Sequence, residues 1–316
     1  MHTELRLALI TAALTCSQLA LPAQAQRARV FVASYGNDSN PCTFLSPCRN
    51  FQQAVNVVDA GGEVTAIDSA GFGPISISQP ITITSPPGVE AGIVPTSGNP
   101  AITVDALRSV VQLRGLTLDG KSGGTNGISY TGAGTRVEII DCLIHNFSAD
   151  GIYVNNVDVT GFTSTIIISN TISSNNGANG IILAPIQSTL RGALDHVITG
   201  GNSQSGILIS GVNATGGGFM DFTMRNSVSD DNSGDGIVVL GIGNVKVETR
   251  DSIISNNAFN GFTVVGAVAS LYADTIAMNN AAFGIGNSGT LESFGNNVIA
   301  HNANASTGTL TPVGVQ

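Results

Sequence analysis

Residues 170–181 read Asn170-Thr171-Ile172-Ser173-Ser174-Asn175-Asn176-Gly177-Ala178-Asn179-Gly180-Ile181, and residues 226–237 read Asn226-Ser227-Val228-Ser229-Asp230-Asp231-Asn232-Ser233-Gly234-Asp235-Gly236-Ile237. The two stretches superimpose letter class for letter class. Each has Asn first, a small hydroxyl second, an aliphatic third, Asn seventh and a Gly-Ile pair at the end. Working outward, a Gly followed by an apolar residue recurs at Gly127, Gly151, Gly180, Gly206, Gly236, Gly261 and Gly284, at intervals of 24, 29, 26, 30, 25 and 23 residues. A repeat of about 26 residues is the signature of a solenoid in which each unit buries its apolar face only by stacking on its neighbours. Strand-forming Ile, Val and Thr with turn-forming Gly, Asn and Ser make that solenoid a parallel β-helix.

Aligning on the glycines exposes rows of equivalent residues that would lie about 4.8 Å apart in the stack. Eight residues before each Gly stand Leu143, Ile172, Ile198, Val228, Ile253 and Ile276, and hydrophobicity assigns them to an aliphatic core stack. Four before it stand Asn176, Asn202, Asn232, Asn257 and Asn280. Their amides each carry donors and an acceptor, so they read as a ladder bonded from coil to coil. Ten before it stand Asp141, Asn170, His196, Asn226, Asp251 and Asp274. This row reads as a structural turn ladder rather than a catalytic site, with calcium as the candidate cofactor if the row binds one. Beside it Cys142, Thr171, Val197, Ser227, Ser252 and Thr275 form a row of small side chains, which gives Cys142 a packing role.

The chain has 316 residues, 39 of them Gly and none Trp; 10% are charged and the net charge is -9. That balance carries no basic arm for nucleic acid. Its first residues, through Arg6, precede an apolar run from Leu7 to about Leu21 that closes on Ala23-Gln24-Ala25, the pattern of a secretory signal peptide over 1–25. Thr15, Ser17 and Gln18 interrupt the run, so no transmembrane segment is expected and the location is secreted, periplasmic or cell-surface. Export favours a disulfide between Cys42 and Cys48, and no His stands near them to complete a zinc site. Phe51, Ala54, Val55 and Val58 share one helical face with Asn50 as the cap, so residues 26–63 read as an N-terminal cap whose helix covers the open end of the core. The β-helix itself spans 64–301, about nine coils and roughly 40 Å, and 302–316 forms a polar tail.

Gly36-Asn37-Asp38-Ser39-Asn40-Pro41-Cys42, with Pro47-Cys48-Arg49-Asn50-Phe51-Gln52-Gln53-Ala54 after it, resembles the opening motif of exported bacterial β-helix proteins in the pectate-lyase-like superfamily. The resemblance implies an all-β, right-handed parallel β-helix with a short capping helix. It does not carry hydrolase chemistry across. In the polygalacturonase-like branch an Asn-Thr-Asp signature is expected, whereas here Asn170-Thr171 is followed by Ile172. No Gly-His-Gly occurs, and Asp230-Asp231 is a two-letter match in a turn.

Function is therefore sought in the charges. In the strand before the Asp/Asn row, Val137, Ile139, Ile166, Ile168, Leu194, Phe222 and Met224 alternate inward, while Arg136, Glu138, Arg191, Asp195, Asp221, Arg225, Lys246, Glu248 and Arg250 alternate outward. A lyase acting on acidic sugars needs a cation against the uronate carboxylate and a base for the neighbouring proton. Lys246, Asp221 and Arg225 are the catalytic candidates; Arg136, Arg191, Asp195, Glu248 and Arg250 are the substrate-binding candidates. The partner expected is a polysaccharide lying along the axis. The competing reading is a non-catalytic surface or adhesion protein whose charges pair between coils. On the strand after each Gly, outward Ser129, Tyr153, Ile182, Leu208, Val238 and Thr263 form an apolar strip suited to self-association unless the insertions at 155–161 and 211–218 cover it.

Overall fold

A computed structural model describes residues 27–121, 123–157, 161–214, 217–272 and 274–313. The expected signal peptide lies outside the described residues. The chain is an all-β parallel solenoid with one helix among the described residues, Phe51–Val57. All strand pairings are parallel and join a strand to its counterpart in the next coil. Each coil contributes three strands. One follows the repeat Gly, such as Ile237–Leu240; the next carries the charges, such as Val245–Arg250; the third is short, such as Ile253–Ser255. The short strands stack into a sheet of ten, from Ala70–Gly71 to Val298–Ala300, close to the number of coils that the repeat predicts. Beyond 301 the strands Asn304–Thr307 and Leu310–Pro312 pair with Phe283–Ser293 and continue the stack.

The core fills from the inward positions as expected: Val137, Ile139, Ile166, Ile168, Leu194, Phe222 and Met224 are all buried. At the amino end Phe51, Ala54 and Val55 of the helix face the first coil. Asn50 occupies the N-cap position but makes no capping hydrogen bond. Its amide instead donates to Asp38 at 2.6 Å, and Asp38 also accepts from the backbone of Arg49 and Asn50 at 2.9 Å each. Beside this network Cys42 and Cys48 form the disulfide expected of them.

The asparagine ladder is present throughout. Asn176 donates to Asn202 at 3.0 Å, and Asn202 to Asn232, Asn232 to Asn257 and Asn257 to Asn280 at 2.9 Å each; Asn302 extends the ladder by one more coil. A second polar row, unread in the sequence, stands one residue before each Gly. There Asp150 accepts from the backbone of Asn179 and Asp235 from that of Asn260.

The aliphatic row is the main departure from expectation. Leu143, Ile172, Ile198 and Ile253 point outward and are 37–42% exposed, and Thr171, Ser173, Ser229 and Ile254 fill the interior on either side of them. The hydroxyls inside are satisfied locally: Ser173 donates to the Gly180 carbonyl and Ser229 to that of Gly236, both at 2.7 Å. The Asp/Asn/His row has a backbone cause. Asp141, Asn170, His196, Asn226, Asp251 and Asp274 all adopt positive φ, between 48° and 65°, the left-handed region that short polar side chains tolerate best after Gly. That row makes the turn into each short strand, and a turn ladder accounts for it fully.

Candidate functional site

On the charged face alternate residues of each strand point outward, and parallel pairing sets them in axial rows. Arg136, Thr165, Arg191, Asp221 and Lys246 follow one another in register. Four residues along, Ser169, Asp195, Arg225 and Arg250 form a parallel row. Glu248 lies in the row between, opposite Thr223. From Arg136 to the carboxyl end, every Lys and Arg of the sequence belongs to this face. The structure thus brings together all eight residues singled out from the sequence.

Several of them pair. Arg136 contacts Glu138 at 2.6 Å, Lys246 contacts Glu248 at 2.7 Å and Arg225 contacts Asp195 at 3.0 Å. Burial opposes ionisation of Asp195, but hydrogen bonds from Asn226 and Arg225 and the Arg225 charge outweigh it and hold the carboxyl below its usual range. The hydrogen bond to Glu248 raises the pKa of Lys246, with the charges of Glu248 and Asp221 adding to it. Lys246 is therefore a firmly protonated ammonium near neutral pH, suited to neutralising an anion and unsuited to removing a proton. Asp221, between Arg191 and Lys246 in register, is the carboxylate better placed to act as a base.

Arg225 and Arg250 occupy consecutive coils at the same register. Arg250 lies over the ring of Tyr272, 5.0 Å from its centre, and Tyr272 stacks on Phe294 at 4.4 Å. The sequence reading missed this aromatic end of the row. Extending the outward row by the 22-residue interval that separates Arg250, Tyr272 and Phe294 locates both rings. His196 donates to or accepts from Asp195 at 2.8 Å, within the turn ladder. Cys142 is free and buried, and burial pushes its thiol up to about 11, consistent with packing and not with nucleophilic chemistry.

Clefts of about 710, 580 and 570 Å³ occur elsewhere, and none of the eight residues lines them. The largest lies beside the capping helix and includes Asp38, Asn50, Gln52 and Asn99. On the glycine-following face the expected apolar strip is closed at two of its six positions, Val238 at 8% exposed and Ser129 at 9%, while Tyr153, Ile182, Leu208 and Thr263 are half-buried. Among the described residues no cluster of three or more His, Cys, Asp or Glu is arranged to hold a metal, and no helix is long and apolar enough to cross a membrane.

No family model and no curated protein matches the sequence. Solved structures do match in shape. A pectate lyase, Pel9A, superimposes with a TM-score of 0.59 at 13% identity, over 88% of this chain and 76% of its own. A rhamnogalacturonan lyase gives 0.57 at 15% identity over 87% of both chains. The protein XylC, solved in complex with xylose, gives 0.66 at 11% identity over 88% of this chain and 70% of its own. At these identities the likeness establishes the architecture, and the chain has the pectate-lyase-like parallel β-helix fold.

Proposed function

We propose that this chain is an exported protein that binds an extended acidic polysaccharide along the charged face, with the sugar chain parallel to the solenoid axis. One observation carries the reading: all the Lys and Arg of the last coils are gathered on one face, and Arg225 sits directly beneath Arg250. Like charges opposite one another in a sheet are destabilising. A carboxylate of a uronate bridging the two guanidiniums converts that cost into a pair of charge-assisted hydrogen bonds. The coil spacing of about 4.8 Å presents such cations at intervals suited to successive sugar carboxylates. The disulfide and the apolar amino-terminal run support export to an oxidising compartment. The solved structures of similar shape include a pectate lyase and a rhamnogalacturonan lyase, which is consistent with this substrate class.

Cleavage by β-elimination is the second reading, favoured by Asp221 between Arg191 and Lys246. In it Asp221 takes the C5 proton beside the uronate carboxyl while Arg225 and Lys246 hold that carboxyl, the C4–O glycosidic bond breaks as the C4–C5 double bond forms, and the leaving oxygen takes a proton from water. The test is titration of purified protein with pectate and alginate oligomers, followed by absorbance of unsaturated chain ends. Binding weakened roughly tenfold or more by the pair Arg225→Ala and Arg250→Ala, and weakened by salt, is the expected result. Equal affinity for the variant and the parent overturns the site. Unsaturated ends that vanish in Asp221→Asn identify a lyase, whereas binding without them identifies a receptor.

A further inference from the structure

The aliphatic row of the short-strand sheet, from Leu143 to Val298, advances one residue per coil in strict register. Single exposed aliphatics are ordinary on a protein surface, but a row of them, exposed at five of its seven positions and half-buried at Val228 and Ile276, marks an interaction surface. Val298 at its far end is 43% exposed and Ile198 42%, against 8% for Val238 on the neighbouring face.

We infer that this face is the interface of a two-fold, antiparallel dimer of the chain. The row is a straight line of like residues at constant spacing, so it is complementary to itself. Its position on the face selects the direction. The aliphatic is the first residue of a three-residue strand, so the line runs off-centre. A two-fold axis along the strands maps every row onto itself and overlaps the whole face. An axis along the solenoid would bring the lines together only by sliding the faces apart sideways.

Charge selects the register. With the axis through Val228, Asp230 would meet its own copy. With the axis between the Val228 and Ile253 coils, Val228 meets Ile253 and Ile198 meets Ile276. In the flanking rows Asp230 then meets Ser255, Asp231 meets Asn256, Asp251 meets Asn226, and Asp274 meets His196, so no carboxylate faces a carboxylate across the six overlapping coils. Six coils of about 4.8 Å, about 20 Å wide with the turns, offer ~600 Å² per copy. The total of about 1,200 Å² reaches the lower end of specific interfaces, so a dimer of roughly micromolar affinity is expected. The interface uses a different face from the polysaccharide site and stands whether or not that site is occupied.

Sedimentation equilibrium of the purified protein tests the inference. The parent is expected to dimerise with a midpoint of roughly micromolar concentration. Ile198→Lys with Ile253→Lys is expected to be monomeric with an unchanged circular dichroism spectrum, since both side chains lie outside the core, while Ile182→Lys on the glycine-following face leaves the dimer intact. A parent still monomeric at about 100 μM, or a double variant that still dimerises, overturns the dimer. For the register, Val228→Cys and Ile253→Cys proteins are oxidised separately and mixed. A disulfide-linked product in the mixture alone is expected; self-linking of Val228→Cys, or no mixed product, overturns the antiparallel register.

Discussion

Asn226 and Asp251 adopt φ near 50°, where a β-carbon crowds the following carbonyl. Their short polar side chains lessen that cost, and a β-branched residue would not. Asn226→Val is expected to lower stability by about 1–2 kcal/mol, and Asn226→Gly to leave it within a few tenths, as read by urea midpoint. Asp235 raises the opposite kind of question. Burial lifts its pKa above the usual carboxylate value despite the hydrogen bond from the Asn260 backbone. A carboxyl whose pKa is raised on folding destabilises the fold once pH exceeds the unfolded value, most fully above the folded value. Asp235→Asn keeps the acceptor and removes the charge, so its melting temperature should exceed that of the parent at pH 7. The advantage should shrink as pH falls through the raised pKa, where the parent carboxyl is already neutral. The sequence revealed that these positions were turns. It concealed the left-handed backbone, because Asn, Asp and His stand where a Gly would have announced it.

The element scale explains both the success of the repeat reading and its one inversion. Each ladder asparagine is tied to two neighbours, so a substitution removes hydrogen bonds on both sides. Asn232→Ala takes the acceptor from both the amide and the backbone N–H of Asn202 and removes one of the two donors to Asn257, which keeps the backbone N–H of residue 232, and a loss of about 2–3 kcal/mol is expected in chemical unfolding. The ladder was legible because only a stacked amide needs the same residue at the same place in every coil. The aliphatic row was legible as a row but was assigned to the wrong side. In a strand, one residue of offset exchanges the inside for the outside. Hydrophobicity argued for Ile172 inside, yet Thr171 and Ser173 enter the core because their hydroxyls find carbonyl partners close by, at 2.8 Å and 2.7 Å. A three-residue strand offers too short an alternation for the pattern to overrule that exchange.

At the scale of the whole molecule, the faces of the solenoid are chemically distinct. One gathers the cations, one carries the half-buried strip that follows each repeat Gly, and one presents the more exposed aliphatic row. The charged face could be found from sequence because outward and inward residues alternate over five to seven positions in strands such as Thr189–Asp195. The protonated state of Lys246 could not, since it depends on the ammonium meeting Glu248 two residues along its own strand. The Tyr272 and Phe294 end of that face escaped the reading because the face was traced by its charged residues, and neither ring carries a charge.

The stacking of coil on coil also bears on how the chain reaches this shape. Among the described strands the farthest pairing joins Arg29 to Glu63, 34 residues on, and every other coil closes on the one before it. The capped end is the end made first. A chain built in this way can wind vectorially, each new coil settling on a finished template as it emerges, so that delivery through a narrow pore supplies the order of folding rather than obstructing it.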